Sequence, residues 1–85
     1  MTDEELRQQI KDALLQIAPE ADPDAVPPTA DLREELDLDS MDYLNFVIAL
    51  HEALGLEIPE VDYPALATME SGIVYLRRRL AEEAG

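Results

Sequence analysis

The chain has 85 residues, enough for one small domain spanning 1–85 and too few for two. Its 20 acidic and 6 basic side chains give a formal net charge of −14, which argues against nucleic acid as a partner because phosphate groups attract Lys and Arg. The chain contains no cysteine, and this excludes disulfide bonds, a thiolate nucleophile and cysteine ligands for a metal.

The sequence is not typical of a membrane protein, and residues 1–5 are not typical of an exported one. No apolar run approaches the ~20 residues that a membrane-spanning helix needs. Residues 1–5 are acidic where a secretory signal peptide is basic. We therefore expect a cytoplasmic protein that does not insert into membranes.

The first predicted helix begins near the N-terminus. Thr2 or Asp3 can cap its beginning, acidic residues favour its positive end, and Pro19 ends it. Apolar residues recur along it at helical spacing: Leu6, Ile10, Ala13, Leu14 and Ile17.

Residues 19–39 form a predicted loop that is long for so small a domain and contains four prolines. The stretch 31–36 predicts a single helical turn within it. Four apolar side chains are expected to anchor the loop to the core: Val26, Leu32, Leu36 and Leu38.

A second long helix is predicted from Ser40 to Leu54, with Gly55 ending it. A short third helix is expected over 63–67. Thr68 then caps a last helix, in which Gly72 lowers the helix propensity by about 1 kcal/mol relative to Ala. No strand pattern is present, so the predicted fold class is all-α, a four-helix bundle of three main helices plus the short third helix.

The second predicted helix has two apolar faces. The first is the predicted core face: Tyr43, Phe46, Val47, Leu50 and Leu54. The second face carries Met41, Leu44 and Ile48 and lies beside polar residues. Such a helix is either buried all round or presents one face to a partner, and we favour the partner over a wider core because the domain is small.

Ser40 lies where the long loop meets this helix. An ordinary N-cap is one interpretation, because a serine hydroxyl there accepts a hydrogen bond from a backbone N–H. A helix N-terminus also stabilises a phosphate group. The neighbouring Asp37, Asp39 and Asp42 argue against a simple phosphate-binding pocket, but they suit a modification installed by an enzyme that binds acidic surfaces.

The motif Asp39-Ser40-Met41 resembles the Asp-Ser-Leu that begins the second helix of the acyl carrier protein family, which includes peptidyl and aminoacyl carriers. Residues 55–59 resemble the family's Gly-hydrophobic-x-Ile-Pro exit from that helix. Thr68-Met69 and Tyr75-Leu76 resemble its last helix. The resemblance covers nearly the whole chain, so the chain is identified as a member.

The resemblance implies a carrier and not an enzyme. A phosphopantetheinyl transferase would attach 4′-phosphopantetheine from coenzyme A to Ser40. The partners implied are that transferase, an acyl- or aminoacyl-loading ligase and downstream acyl-transfer enzymes with basic patches, in fatty acid, polyketide or specialised metabolism. The carrier is expected to be a monomer. The residues expected to be recognised by partners are Asp39, Met41, Asp42, Leu44, Asn45, Ile48 and Glu52.

Departures from the family pattern make a specialised carrier for one acyl or aminoacyl group at least as well supported as a carrier of fatty acid synthesis. His51 stands where the family has an acidic residue, and Gly72 where an apolar residue is usual. Asp37 stands where the family usually has Gly, and Asn45 replaces a common Glu that enzymes of fatty acid synthesis recognise. The family's helices can also enclose an apolar cargo. The residues expected to line such a cavity here are Phe46, Leu50, Leu54, Val61 and Leu66.

Two other functions stay open at this point: an unmodified acidic protein-interaction module, and a buffer for divalent cations. No metal site is predicted, because Met41, Asp42 and Ile48 stand where an EF-hand needs other residues. His51 lies about 16 Å from Ser40 along one helix, too far for a catalytic triad. We expect it to be a boundary histidine without a pairing partner.

Overall fold

The computed structural model describes residues 1–84, with the side chains of residues 1–83. Its elements are α1 (Asp3–Ile17), a 3₁₀ turn (Pro23–Ala25), α2 (Leu32–Glu35), α3 (Ser40–Leu54), a 3₁₀ helix (Glu60–Leu66) and α4 (Met69–Ala84). Helix α1 packs against α3 and α4, and the 3₁₀ helix packs against α4. The predicted all-α bundle of three main helices and one short helix is therefore confirmed.

The ends of α1 and α3 follow from capping residues. Thr2 accepts a hydrogen bond from the Glu5 backbone N–H, and the Glu5 side chain accepts one from the Thr2 N–H, which makes a capping box. Gly55 ends α3 in the left-handed conformation, with φ of 65°. Both ends were predicted, because capping chemistry is local in the sequence.

The short third helix differs from its prediction in type and extent. It begins at Glu60 and is a 3₁₀ helix, whereas the sequence pattern predicts a helix over 63–67. Pro64 lies inside it and has no N–H to donate to an α-helical hydrogen bond. The turns that remain are closed by i to i+3 bonds, from Asp62 to the Pro59 carbonyl and from Ala67 to the Pro64 carbonyl.

One continuous apolar core joins the helices to the long loop. Leu32 and Leu38 are buried, and Val26 and Leu36 pack against the core, so the predicted anchoring of the loop is confirmed. The side chains with almost no solvent exposure are Phe46, Leu6, Ile10, Leu14, Leu32, Leu50, Leu56, Leu66 and Leu76. This core fixes the position of the loop that leads into α3.

Asp37 adopts the left-handed backbone conformation, with φ of 55°, and this explains why Gly suits the position. A Cβ atom in this conformation costs roughly 1–2 kcal/mol. We expect Asp37→Gly to be more stable than Asp37→Ala by about 1 kcal/mol, after the greater flexibility of unfolded glycine is subtracted. Both substitutions remove the same charge, so urea unfolding of the two variants isolates the backbone effect. An alanine variant as stable as the glycine variant would contradict this cost of a Cβ atom at position 37.

Candidate functional site

The N-terminus of α3 is capped by Asp39. The Asp39 carboxylate accepts a hydrogen bond from the Asp42 backbone N–H at 2.8 Å, and the Asp42 carboxylate accepts one from the Asp39 N–H at 3.3 Å. These two bonds form a second capping box. The interpretation of Ser40 as the N-cap is therefore wrong, because Asp39 already occupies that role.

Ser40 is the first residue of α3, and its side chain is exposed. Among the described residues, the Ser40 hydroxyl has no hydrogen-bond partner. The backbone N–H groups of a first helical turn carry a partial positive charge that stabilises an attached anion. Ser40 thus combines an accessible, uncommitted hydroxyl with a favourable position for a phosphodiester.

The segment before Ser40 is tied to the rest of the bundle. The Leu32 N–H donates to the Ala67 carbonyl at 2.8 Å, which joins α2 to the residues before α4. The Leu38 N–H donates to the Arg33 carbonyl at 2.9 Å, and the Leu38 side chain is buried. Ser40 therefore follows a fixed segment, although it lies at the end of a long loop.

A surface cleft of about 340 Å³ begins at Ser40. Its lining residues are Arg33, Ser40, Tyr43, Leu44, Glu60 and Tyr63. The Tyr43 hydroxyl donates to the Tyr63 carbonyl at 2.5 Å, which holds the 3₁₀ helix against α3. Burial raises the pKa of Tyr43 to about 12, against the opposing effect of Arg33. The phenol therefore stays protonated near neutral pH and keeps this hydrogen bond.

Sequence reasoning missed this cleft. It placed Tyr43 in the core and gave Arg33 and Tyr63 no role. The sequence contains one usable sign, since Arg33 is the only basic residue between Lys11 and Arg77. An isolated cation a few residues before Ser40, in so acidic a chain, indicates a functional role for Arg33.

The second apolar face of α3 is solvent-accessible, as predicted. Met41 is 63% exposed and Ile48 is 41% exposed, while Leu44 is half-buried. Of the polar residues predicted for this surface, Asp42 is half-buried and the others are exposed: Asp39, Asn45 and Glu52. Six of the seven residues lie within α3 and Asp39 caps it; we call the set the α3 recognition face, after the role predicted for it from the sequence.

The predicted cargo-lining set does not form one cavity wall. Val61 is 83% exposed and points away from the core, so its predicted inward position is wrong. Phe46, Leu50 and Leu66 are buried in contact with the common core, and Leu54 is half-buried. The exposed position of Val61 follows from the 3₁₀ helix, which buries Leu66 and turns Val61 to the solvent.

His51 has a partner, contrary to the prediction. Its Nδ1 lies 2.6 Å from the Leu56 carbonyl oxygen, a geometry in which the ring N–H donates. This bond joins the last turn of α3 to the segment after Gly55. His51 therefore has a structural role at the end of α3, far from Ser40.

Within residues 1–84, no three His, Asp or Glu side chains are placed together as ligands for a metal ion. None of the helices described is both long enough and apolar enough to cross a membrane.

Comparison with known proteins identifies the kind of site. Residues 5–71 match the family model for a phosphopantetheine attachment site. The chain is similar to an acyl carrier protein of Lactobacillus acidophilus, with 30% identity over 77 residues that cover 91% of this chain and 95% of the relative. It is also 36% identical over 55 residues to an acyl carrier protein of Rubrobacter xylanophilus, covering 65% and 68% of the two chains. An acyl carrier protein of Thermosynechococcus vestitus is 33% identical over 60 residues, covering 71% and 74%.

Proposed function

Because the chain belongs to the acyl carrier protein family, whose members carry a covalently attached 4′-phosphopantetheine group and are not enzymes, we propose that Ser40 is the attachment site. The observation that supports this most is the uncommitted, exposed Ser40 hydroxyl on the first turn of α3. Since Asp39 caps the helix, modification of Ser40 leaves the helix N-terminus intact.

The residues around Ser40 fit the group. Helix N–H groups favour the phosphodiester, and Arg33 brings a positive charge to the cleft that begins at Ser40. In the transfer from coenzyme A, the Ser40 hydroxyl loses its proton to a base on the transferase. Its oxygen bonds to the phosphorus that bears pantetheine, and the pyrophosphate P–O bond breaks to release the adenosine bisphosphate. When bound, the group supplies the thiol on which a cargo is held as a thioester.

We propose that the α3 recognition face is the surface on which partner enzymes dock. Its apolar residues suit a groove on the partner, and its carboxylates suit Lys and Arg at the rim of that groove. The partners proposed are a phosphopantetheinyl transferase, an acyl- or aminoacyl-loading ligase and acyl-transfer enzymes of fatty acid, polyketide or specialised metabolism. The carrier acts as a single domain of residues 1–85, as a monomer and in the cytoplasm.

Intact mass spectrometry tests this function. The protein is incubated with coenzyme A and a phosphopantetheinyl transferase, and a mass gain of one phosphopantetheine is expected. Proteolytic fragments should place the gain on the peptide that contains Ser40 and not on the one that contains Ser71, the other serine. The absence of a mass gain with transferases of broad specificity would contradict the attachment at Ser40 and favour the alternative, an unmodified acidic interaction module.

Asn45 offers a test of the pathway. It is exposed on the recognition face and stands where fatty acid carriers commonly have Glu. We expect Asn45→Glu to raise kcat/KM for malonyl transfer by a bacterial fatty acid synthesis transacylase about 2- to 5-fold at low salt, since one rim charge pair is worth at most about 1 kcal/mol. The gain should shrink as salt screens the charge. Asn45→Gln is the neutral control, and an equal gain with that variant would contradict a charge effect.

A further inference from the structure

Arg33 differs from most other basic residues of the domain because it lacks a carboxylate partner. Lys11 pairs with Asp24 and Arg77 with Asp3, both at 2.8 Å, and Arg78 and Arg79 also have carboxylates within 4 Å. Among the described residues, no carboxylate oxygen lies within 4 Å of an Arg33 nitrogen. Arg7 is the other basic residue for which no ion pair is present among the described residues, and it lies on α1, outside the clefts near Ser40.

The position of Arg33 is well defined even though its side chain is exposed. Its backbone N–H donates to the Asp31 carboxylate at 2.8 Å and its carbonyl accepts from the Leu38 N–H, so α2 is fixed at both ends. Its guanidinium carbon lies 5.2 Å from the centroid of the Tyr43 ring, a cation–π distance. Tyr43 follows Ser40 by three residues and so lies one helical turn along the same side of α3.

Two adjoining clefts extend from this point. The cleft of about 340 Å³ at Ser40 and a second of about 420 Å³ share Arg33, Tyr43, Glu60 and Tyr63. The second continues along Tyr63 to the segment before α4. Together they provide a surface with a cation near Ser40, two aromatic rings beyond it and two carboxylates, Asp31 and Glu60.

We propose that Arg33 is a positioning residue that pairs with the phosphodiester on Ser40 and directs the pantetheine arm across Tyr43 and Tyr63; this inference rests on the proposed attachment at Ser40. The phosphodiester adds a negative charge beside Asp37, Asp39 and Asp42, and Arg33 is the cation in the adjoining cleft that compensates for it. The apolar part of the arm contacts the aromatic rings. Asp31 and Glu60 are carboxylates that repel the phosphodiester. Asp31 already accepts hydrogen bonds from backbone N–H groups of α2, and Glu60 can accept one from an amide N–H of the arm.

Before a partner docks, the arm is therefore held in the clefts and does not move freely. When a partner enzyme with a basic patch binds the α3 recognition face, its cations compete with Arg33 for the same phosphodiester. Release of the arm from the clefts is then coupled to docking through electrostatics and needs no rearrangement of the bundle.

NMR of the loaded protein tests the role of Arg33. Wild type, Arg33→Gln and Arg7→Gln are each loaded and checked by intact mass. The Arg7 variant is the control because it removes the same charge from α1, outside both clefts. In wild type and the Arg7 variant we expect NOEs between the geminal methyl protons of the arm and the ring protons of Tyr43 and Tyr63. These NOEs should be lost in Arg33→Gln, and so should the difference in Tyr63 chemical shifts between loaded and unloaded protein.

The outcomes separate the two proposals. Failure of the wild type to gain mass would overturn the attachment at Ser40 itself. A loaded wild type without NOEs to either tyrosine, or an Arg33 variant with the same NOEs as wild type, would overturn the role of Arg33 and leave the attachment standing. Loss of the NOEs in both variants would show a general effect of charge and would also overturn the role of Arg33.

Discussion

Ser40→Ala is expected to abolish phosphopantetheine uptake while changing the free energy of unfolding by less than about 0.5 kcal/mol. The hydroxyl that receives the phosphorus is removed, and Ser71 cannot replace it. The Ser71 hydroxyl lies 2.8 Å from the Thr68 hydroxyl and 3.4 Å from the Thr68 carbonyl oxygen, in the first turn of α4. Stability is retained because the cap of α3 is Asp39, and Ala is a good residue inside a helix. Intact mass after treatment with transferase and coenzyme A, together with thermal melting, measures both effects.

Asp39 supplies the matched control for stability. Asp39→Ala removes the side chain that accepts from the Asp42 N–H and should lower the free energy of unfolding by about 1 kcal/mol. Asp39→Asn keeps a good capping side chain and should lose much less. A Ser40 variant as unstable as Asp39→Ala would show that Ser40 takes part in the cap. A mass gain in Ser40→Ala equal to that of wild type would place the modification on another residue.

The long helices were predictable because their information is local. Apolar residues at helical spacing identify α1, α3 and α4, and Thr2, Gly55 and Thr68 mark where they begin or end. The choice between Asp39 and Ser40 as the cap was also contained in the sequence. A capping box needs an acidic or amide side chain three residues on, and Asp42 follows Asp39 at that spacing whereas Tyr43 follows Ser40.

The arrangement around the 3₁₀ helix was not predictable, since it depends on contacts between distant residues. Asp62 accepts a hydrogen bond from the Tyr75 hydroxyl at 2.7 Å, and Arg79 donates to the Glu57 carbonyl at 2.6 Å. Gly72 is explained in the same way. A Cβ at Gly72 would lie 3.2 Å from the Ile10 Cδ1. Gly at this position therefore allows α1 to approach α4 closely, despite its low helix propensity.

The same distinction, between local patterns and contacts of distant residues, applies to the candidate site. The position of Ser40 at the start of α3 and the solvent exposure of the second apolar face were predictable from a motif and a periodicity within one helix. The cleft was not, because it combines α2, α3 and the 3₁₀ helix, whose relative positions are set by the core and by the Tyr43–Tyr63 hydrogen bond. The misplaced Val61 has the same origin, since its exposure depends on which face the 3₁₀ helix buries.

Leu50→Ala is expected to lower the free energy of unfolding by about 2–5 kcal/mol, because the deleted atoms leave a cavity in the core. Leu50 has no solvent exposure. A domain of this size has a total stability of only about 4–13 kcal/mol, and each kcal/mol corresponds to a shift of about 4–8 °C in Tm. Phe46→Ala should behave similarly, since Phe46 is equally buried.

Ile48→Ala, on the other face of α3, is the matched comparison. Because Ile48 is 41% exposed, we expect a loss below about 1 kcal/mol but a several-fold fall in kcat/KM for loading by the transferase. The reason is that the side chain contacts the partner and not the core. The loss of loading in Leu50→Ala should instead follow its unfolded fraction and recover on cooling into the folded range. Urea unfolding and loading kinetics of the two variants separate these causes. If Ile48→Ala proved as destabilising as Leu50→Ala, the exposed face would contribute to the core, and the surface that partners recognise would have to lie on another helix.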